Sequence, residues 1–207
     1  MTSPKRIVVA VSGGGRSLAN LLKYQAEGDF EVVGIISSNA ACKAVDIGIE
    51  ANLPIFVAAF DSKAVNLVSS LQVWMAGLQP DLCVLAGFVR LFPLQTVSCP
   101  VINIHPALLP KYGGKGMYGQ KVHDAVYKNK DAVTGATVHF VNERYDEGAI
   151  IAQIEVAVAT CRNADEIQSK VFRAECEILP HTIKELLKGK LPLTGGKIFR
   201  RTYEEKR

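Results

Sequence analysis

Short apolar runs alternate with helical stripes along most of the chain. Residues 7–11 and 82–86 are continuous apolar runs, as strands buried on both faces require. Residues 32–36, 55–58, 101–104, 137–141 and 150–156 complete seven predicted strands. Leu18, Leu21 and Leu22, and later Leu67, Leu71, Trp74 and Leu78, recur at helical spacing and predict helices that lay these side chains on a sheet. We assign both stripes and Trp74 to the core, because apolar helix faces pack far more often than they bind ligand. Asn163 and Glu166 form a capping-box pair. Ile167, Val171, Ala174, Ile178 and Ile183 then continue a helix to Gly189, which Pro180 is expected to kink or split. Residues 190–207 mix Pro192, Gly195 and Gly196 with scattered charges and are expected to be a surface tail or short hairpin. The alternation predicts an α/β fold, with a mostly parallel sheet covered by helices.

Composition narrows the class. The 207 residues suffice for a full core, and 48% hydrophobic against 21% charged excludes a disordered chain. No apolar run approaches the ~20 residues that cross a bilayer. The run after Lys5 and Arg6 stops at Ser12, too short for a secretory segment. A cytoplasmic location with no membrane partner is expected. Cys42, Cys83, Cys99, Cys161 and Cys176 are odd in number and contain no CxxC, so reduced thiols are expected. Neither Cys nor His falls at zinc-ligand spacing, and no metal is expected. A net charge of +4 is too mild to imply nucleic acid, but it suits small anionic substrates.

The first predicted strand runs into Ser12-Gly13-Gly14-Gly15-Arg16-Ser17 and then the leucine-striped helix. A strand, a glycine turn and a helix N-terminus together point backbone N–H groups at an anion. A dinucleotide fingerprint begun at Gly13 needs glycine where Leu18 stands, and the second strand ends in Ser37, Ser38 and Asn39 without the required acid. A Walker A loop is also absent. A generic phosphate cradle and a structural tight turn remain, and Arg16 favours the anion.

Asn103 interrupts an apolar strand, where an unpaired amide costs ~1–3 kcal/mol. His105 follows at the strand's C-terminal end, the place where parallel sheets bind ligands. Alternate strand residues share a face, so the amide and the imidazole can converge. A histidine alone is more often structural.

The order SGGGRSL, LAGFVRLF, NIHPALLPKY and TVHFVNERYDEG resembles the phosphoribosylglycinamide formyltransferases, the folate-dependent glycinamide ribonucleotide transformylases of purine synthesis. N-x-H-P-x-L-L-P is common to the wider formyltransferase superfamily; the glycine loop, the length and H-F-V-x-x-x-x-D-x-G narrow the resemblance. It implies a single domain over residues 1–207, with a Rossmann-like, mostly parallel sheet of about seven strands and helices on both faces. The N-terminal half would be the nucleotide-phosphate side and the C-terminal half the folate side. The implied reaction carries a formyl group from 10-formyltetrahydrofolate, as co-substrate, to the amine of glycinamide ribonucleotide (GAR). Asn103, His105 and Asp146 would be catalytic. Gly14, Gly15, Arg16 and Ser17 would hold the GAR phosphate, and Glu175 would contact the ribonucleotide. The folate would lie against Lys63, Val89, Arg90, Leu91, Phe92 and Asn103 and the loop Asn142, Glu143, Arg144, Tyr145 and Asp146. The implied partners are these small molecules, on a monomer or homodimer.

Two departures qualify the likeness. Arg16-Ser17 stands where the family often has Ser-Asn, and residues 113–119 replace a shorter Pro-Gly segment. The glycines of that segment suggest a mobile flap, and no site residue is transferred from it. The expected chemistry is direct amine attack, with the Asn103 amide and a protonated His105 donating to the oxyanion. Asp146 would raise the His105 pKa by its charge. Methionyl-tRNA formyltransferases and formyltetrahydrofolate deformylases share the core but are expected to be longer. Sugar-nucleotide N-formyltransferases share it too. A non-catalytic folate- or nucleotide-binding relative would lack one of Asn, His or Asp, and all three are present.

Overall fold

β-branched and apolar residues without a polar break make Lys5–Val11 (β1) a strand whose Ile7, Val8, Val9 and Ala10 have no exposed surface. The computed structural model describes residues 3–60, 66–190 and 199–203, which divide into two compact units, Met1–Ile102 and Asn103–Arg207. In the first unit β1 is followed by α1 (Arg16–Tyr24), β2 (Phe30–Ser37), α2 (Lys43–Glu50), β3 (Ile55–Val57), α3 (Leu67–Leu78) and β4 (Leu82–Leu85). All of its pairings are parallel, in the order β3-β2-β1-β4. Gly34 of β2 lets α3 approach: a Cβ there would lie 2.6 Å from Leu78 Cδ1 and 2.8 Å from the Trp74 ring. Trp74 also packs on Phe56, with ring centroids 5.7 Å apart, so this half-buried ring packs against the sheet at the edge of the core.

β5 (Val101–His105) ends the first unit and begins the second. The second unit continues with α4 (Gln120–Lys128), β6 (Val133–Phe140), β7 (Ile150–Ala157), α5 (Ala164–Leu187) and β8 (Phe199–Thr202), in the sheet order β5-β6-β7-β8. β6 and β7 are antiparallel while β7 and β8 are parallel, so the mostly parallel sheet is mixed. β6 begins earlier than its apolar pattern, because Gly135 interrupts that pattern: a Cβ at Gly135 would run into the Ile154 carbonyl of β7.

All seven predicted strands form, and β8 adds another inside the segment expected to be a surface tail or short hairpin. It pairs parallel with β7, and Tyr203 N–H donates to Glu155 O at 2.8 Å. Asn163 caps α5, accepting from Glu166 N–H at 2.9 Å, while the Glu166 carboxylate reaches back one residue further than the standard box, to Arg162 N–H at 2.8 Å. Pro180 does not split this helix, which runs unbroken for 24 residues. Ile178, Leu179, Pro180, Ile183 and Leu186 are all buried, and their packing holds the chain helical through the missing N–H.

Candidate active site

β5 places Asn103 and His105 on one face, and the turn after β6 brings Asp146 to them. Asp146 has φ 58°, a left-handed conformation that aspartate tolerates better than most residues. Its carboxylate is the centre of the cluster. Oδ2 lies 3.5 Å from His105 Nδ1 and accepts from Gly114 N–H at 3.0 Å. Oδ1 lies 3.6 Å from His139 Nε2 and accepts from Asn103 Nδ2 at a long 3.4 Å. The Asn103 amide also donates to His139 Nε2 at 3.1 Å. His105 Nε2 faces the Tyr112 carbonyl at 2.8 Å, and His139 Nδ1 faces the Phe140 carbonyl at 2.8 Å. A carbonyl only accepts, so each of these nitrogens carries hydrogen, and His139 Nε2 is left to accept from Asn103.

The supports of the cluster are local. Thr137 Oγ1 donates to Ala107 O at 2.6 Å and accepts from Leu109 N–H at 3.1 Å. Gln153 Nε2 donates to Leu109 O at 3.0 Å. These buried side chains of β6 and β7 hold the loop that ends in the Tyr112 carbonyl. Tyr112 is held in turn, its hydroxyl donating to Asp131 at 2.8 Å and accepting from Asn129 Nδ2 at 2.7 Å. A Cβ at Gly113 would lie 2.6 Å from Leu109 Cδ2 and 3.2 Å from Asp146 Cβ, so glycine is needed for the chain to pass. The glycine segment, from which the sequence offered no site residue, thus contributes Gly114 N–H. His139 was also missed, although it stands two positions from Thr137 on the same inward face of β6.

Burial is the largest influence on His105 and holds its ring below the ordinary histidine range. Asp146 and the Tyr112 carbonyl pull it upward, and His139 pushes it further down. This corrects the expectation of a protonated His105: the Asp146 charge acts in the expected direction, but desolvation of a ring only 3% exposed outweighs it. For Asp146 burial is again the largest influence and raises the carboxyl, yet its hydrogen-bonding surroundings, the Gly114 N–H among them, hold it below the usual carboxylate range. The pair is therefore a carboxylate beside a neutral imidazole. It can accept a proton at His105 Nδ1 and hold it against Asp146.

In the first unit, Gly15 has φ 70° and precedes α1, and a Cβ there would lie 2.8 Å from Ala44 Cα. Only glycine fits. Having no side chain, Gly15 leaves the opening N–H groups of α1 without a side-chain cap, an arrangement suited to an anion. Ser12 ties the loop to its neighbours: its Oγ accepts from Ser38 Oγ at 2.6 Å and from Val89 N–H at 3.0 Å.

The sequence profile described as formyl transferase matches residues 5–183. The chain belongs to the formyl transferase family. It is 31% identical over 189 residues to the chloroplastic phosphoribosylglycinamide formyltransferase of Vigna unguiculata, covering 88% of this chain and 61% of that protein. It is 30% identical over 196 residues to the phosphoribosylglycinamide formyltransferase of Haemophilus influenzae, covering 91% and 90%. The chain spans 61% of the length of the plant relatives from Vigna and Arabidopsis thaliana. The crystal structure of phosphoribosylglycinamide formyltransferase from Anaplasma phagocytophilum matches with a TM-score of 0.83 and 26% identity, covering 98% of this chain and 100% of that one.

The other expected contacts are spread over both units. Val89, Arg90 and Leu91 are exposed. Phe92 is buried in an edge-to-face series with Phe88 and Phe60, at centroid distances of 5.8 and 5.0 Å, and anchors that segment from beneath. Of the loop at 142–146, Asp146 joins the cluster. Asn142 Oδ1 accepts from Arg144 N–H at 3.0 Å, Arg144 pairs with Glu147 at 3.2 Å, Glu143 is exposed and Tyr145 is half-buried. Glu175 is half-buried on α5. Lys63 lies outside the described residues. Among the described residues no group of His, Cys, Asp and Glu is arranged to hold a metal, and no helix is long and apolar enough to cross a membrane.

Proposed function

We propose that this formyl transferase carries the formyl group of 10-formyltetrahydrofolate to the amine of GAR, giving formyl-GAR and tetrahydrofolate in purine biosynthesis. The observation that carries this reading is the Asn103–His105–Asp146 cluster, whose members meet through one carboxylate. The names of relatives that align over most of this chain support it.

In this reading Gly14, Gly15, Arg16 and Ser17 hold the GAR phosphate and Glu175 contacts the ribonucleotide. Lys63, Val89 to Phe92 and Asn142 to Asp146 receive the folate, and residues 1–207 form a single formyltransferase domain. The neutral amine attacks the formyl carbon, a C–N bond forms, and the carbonyl electron pair moves onto oxygen. Asn103 supplies an N–H to that oxyanion by exchanging its long bond to Asp146 for the new one. The attacking nitrogen must shed a proton and the leaving folate nitrogen must gain one. His105 Nδ1 takes the first proton and Asp146 stabilises the resulting imidazolium; the oxyanion pair then re-forms the C=O bond as the C–N bond to the folate breaks, its electron pair leaving on the nitrogen that receives the proton.

The test is to mix the protein with 10-formyltetrahydrofolate and GAR and to follow the ultraviolet change as tetrahydrofolate appears. A GAR-dependent change is expected. Change without GAR would make the protein a hydrolase, and no change a binding protein. Gly15→Ala should raise KM for GAR by about 10-fold or more, since a displacement of ~1 Å can cost ~100-fold. KM for the folate should stay within about twofold of its original value on the same scale. Equal effects on the two would rule out a phosphate cradle at this loop.

A further inference from the structure

Asn103 has two amide hydrogens and an acceptor for each, His139 Nε2 at 3.1 Å and Asp146 Oδ1 at 3.4 Å. Both acceptors require the NH2 end of the amide, so in the resting site its orientation is fixed twice. During formyl transfer the longer bond is the one to yield, because the hydrogen that meets the oxyanion must leave Asp146. One anchor then remains.

We infer that His139 is a positioning residue for Asn103: its Nε2 holds the amide in the orientation that presents an N–H, rather than the carbonyl oxygen, to the reacting formyl group. The ring is equipped for this. It is buried, with 2% of its surface exposed, and the Phe140 carbonyl at 2.8 Å fixes the hydrogen on Nδ1, so Nε2 keeps its lone pair. Without that acceptor, an amide that had left Asp146 could turn over about its last side-chain torsion and present its oxygen to a developing negative charge. The role belongs to the transition state and leaves substrate binding nearly untouched. This inference rests on the formyl-transfer reading, with Asn103 as the oxyanion donor.

The test is a double-mutant cycle with a spectroscopic arm. His139→Leu should lower kcat by ~100-fold, the loss expected when one oxyanion donor is misdirected, with both KM values within about twofold. In an Asn103→Ala background the same substitution should cost less than about twofold, because the amide it serves is gone. His139→Gln, which offers an amide oxygen as acceptor, should recover part of the loss. Equal losses in both backgrounds, or a loss carried by KM, would overturn the inference and make His139 a packing residue. The second arm needs no activity. In protein carrying 15N-asparagine, with the Asn103 side-chain signals assigned by their disappearance in Asn103→Ala, His139→Leu should move one amide proton upfield and speed its exchange with water. Unchanged signals would overturn the inference even if the protein transferred no formyl group to GAR.

Discussion

Asp146→Asn is expected to lower kcat by ~100- to 1000-fold, the range for losing a charge-stabilising or proton-transferring group. The substitution preserves shape, and an asparagine oxygen can still accept from Gly114 N–H, so the glycine segment keeps its tie. What disappears is the negative charge 3.5 Å from His105 Nδ1. That charge raises the His105 pKa against the larger effect of burial, so its removal should move the titration of the ring to still lower pH. NMR titration of the ring reads this directly, and a midpoint that stays or rises would break the proposed coupling. Stability should follow the same signs. The folded His105 resists a proton that the unfolded chain accepts at about pH 6.5, so the fold loses stability as pH falls below that value. The folded Asp146 is held below the ~3.9 of an unfolded aspartate, so its contribution is complete above that pH and is lost as acid carries the protein through the lower, folded value. Denaturant melts across pH should show both windows in the original protein and only the first in the variant.

The parts legible in the sequence are those where one local rule decides the outcome. β1 and β4 are buried on both faces, and nothing but an apolar run satisfies that. The alternation of side chains along a strand is enough to put Asn103 and His105 on one face. β8 escaped because an edge strand of four residues with two arginines is held by backbone bonds to β7 and has no apolar pattern to read. The split at Pro180, one of its two expected effects, does not occur: the loss of one helical bond, ~3 kcal/mol, is visible in sequence, whereas the burial that offsets it, at ~1.5–3 kcal/mol per large apolar side chain, is not. The charge state of His105 was misread for the same reason: Asp146 can be seen in the motif, but the desolvation of the ring cannot. Gly114 N–H and the Tyr112 carbonyl were beyond reach of the letters, since backbone groups carry no residue identity. His139 lay within the H-F-V motif, but only the geometry shows that its Nε2 serves Asn103.

Gly148→Ala is expected to do the greatest structural damage of any single methyl group added near the site. A Cβ at Gly148 would fall on the Phe140 carbonyl and lie 3.5 Å from His139 Nδ1. The carbonyl has little freedom to move. It accepts from His139 Nδ1 at 2.8 Å, and the Phe140 N–H donates to Ala149 O at 2.9 Å across the end of the β6–β7 pair. Relief requires opening that pair or rotating the carbonyl away from His139, so stability and chemistry should fail together. The upper end of overpacking costs, about 3 kcal/mol, should lower Tm by roughly 6–12 °C in a chain of this size. kcat should fall with it, because a displaced carbonyl releases the His139 tautomer on which Asn103 depends. Gly77→Ala in α3 is the matched control: nothing lies within 4 Å of its added Cβ, and alanine in a helix interior should raise stability by about 0.5–1 kcal/mol. If Gly148→Ala melted within about 2 °C of the original protein, less than the shift for 1 kcal/mol, the D-x-G glycine would not be there to clear the Phe140 carbonyl. The steric account of why Asp146 is followed two residues later by glycine would then fail.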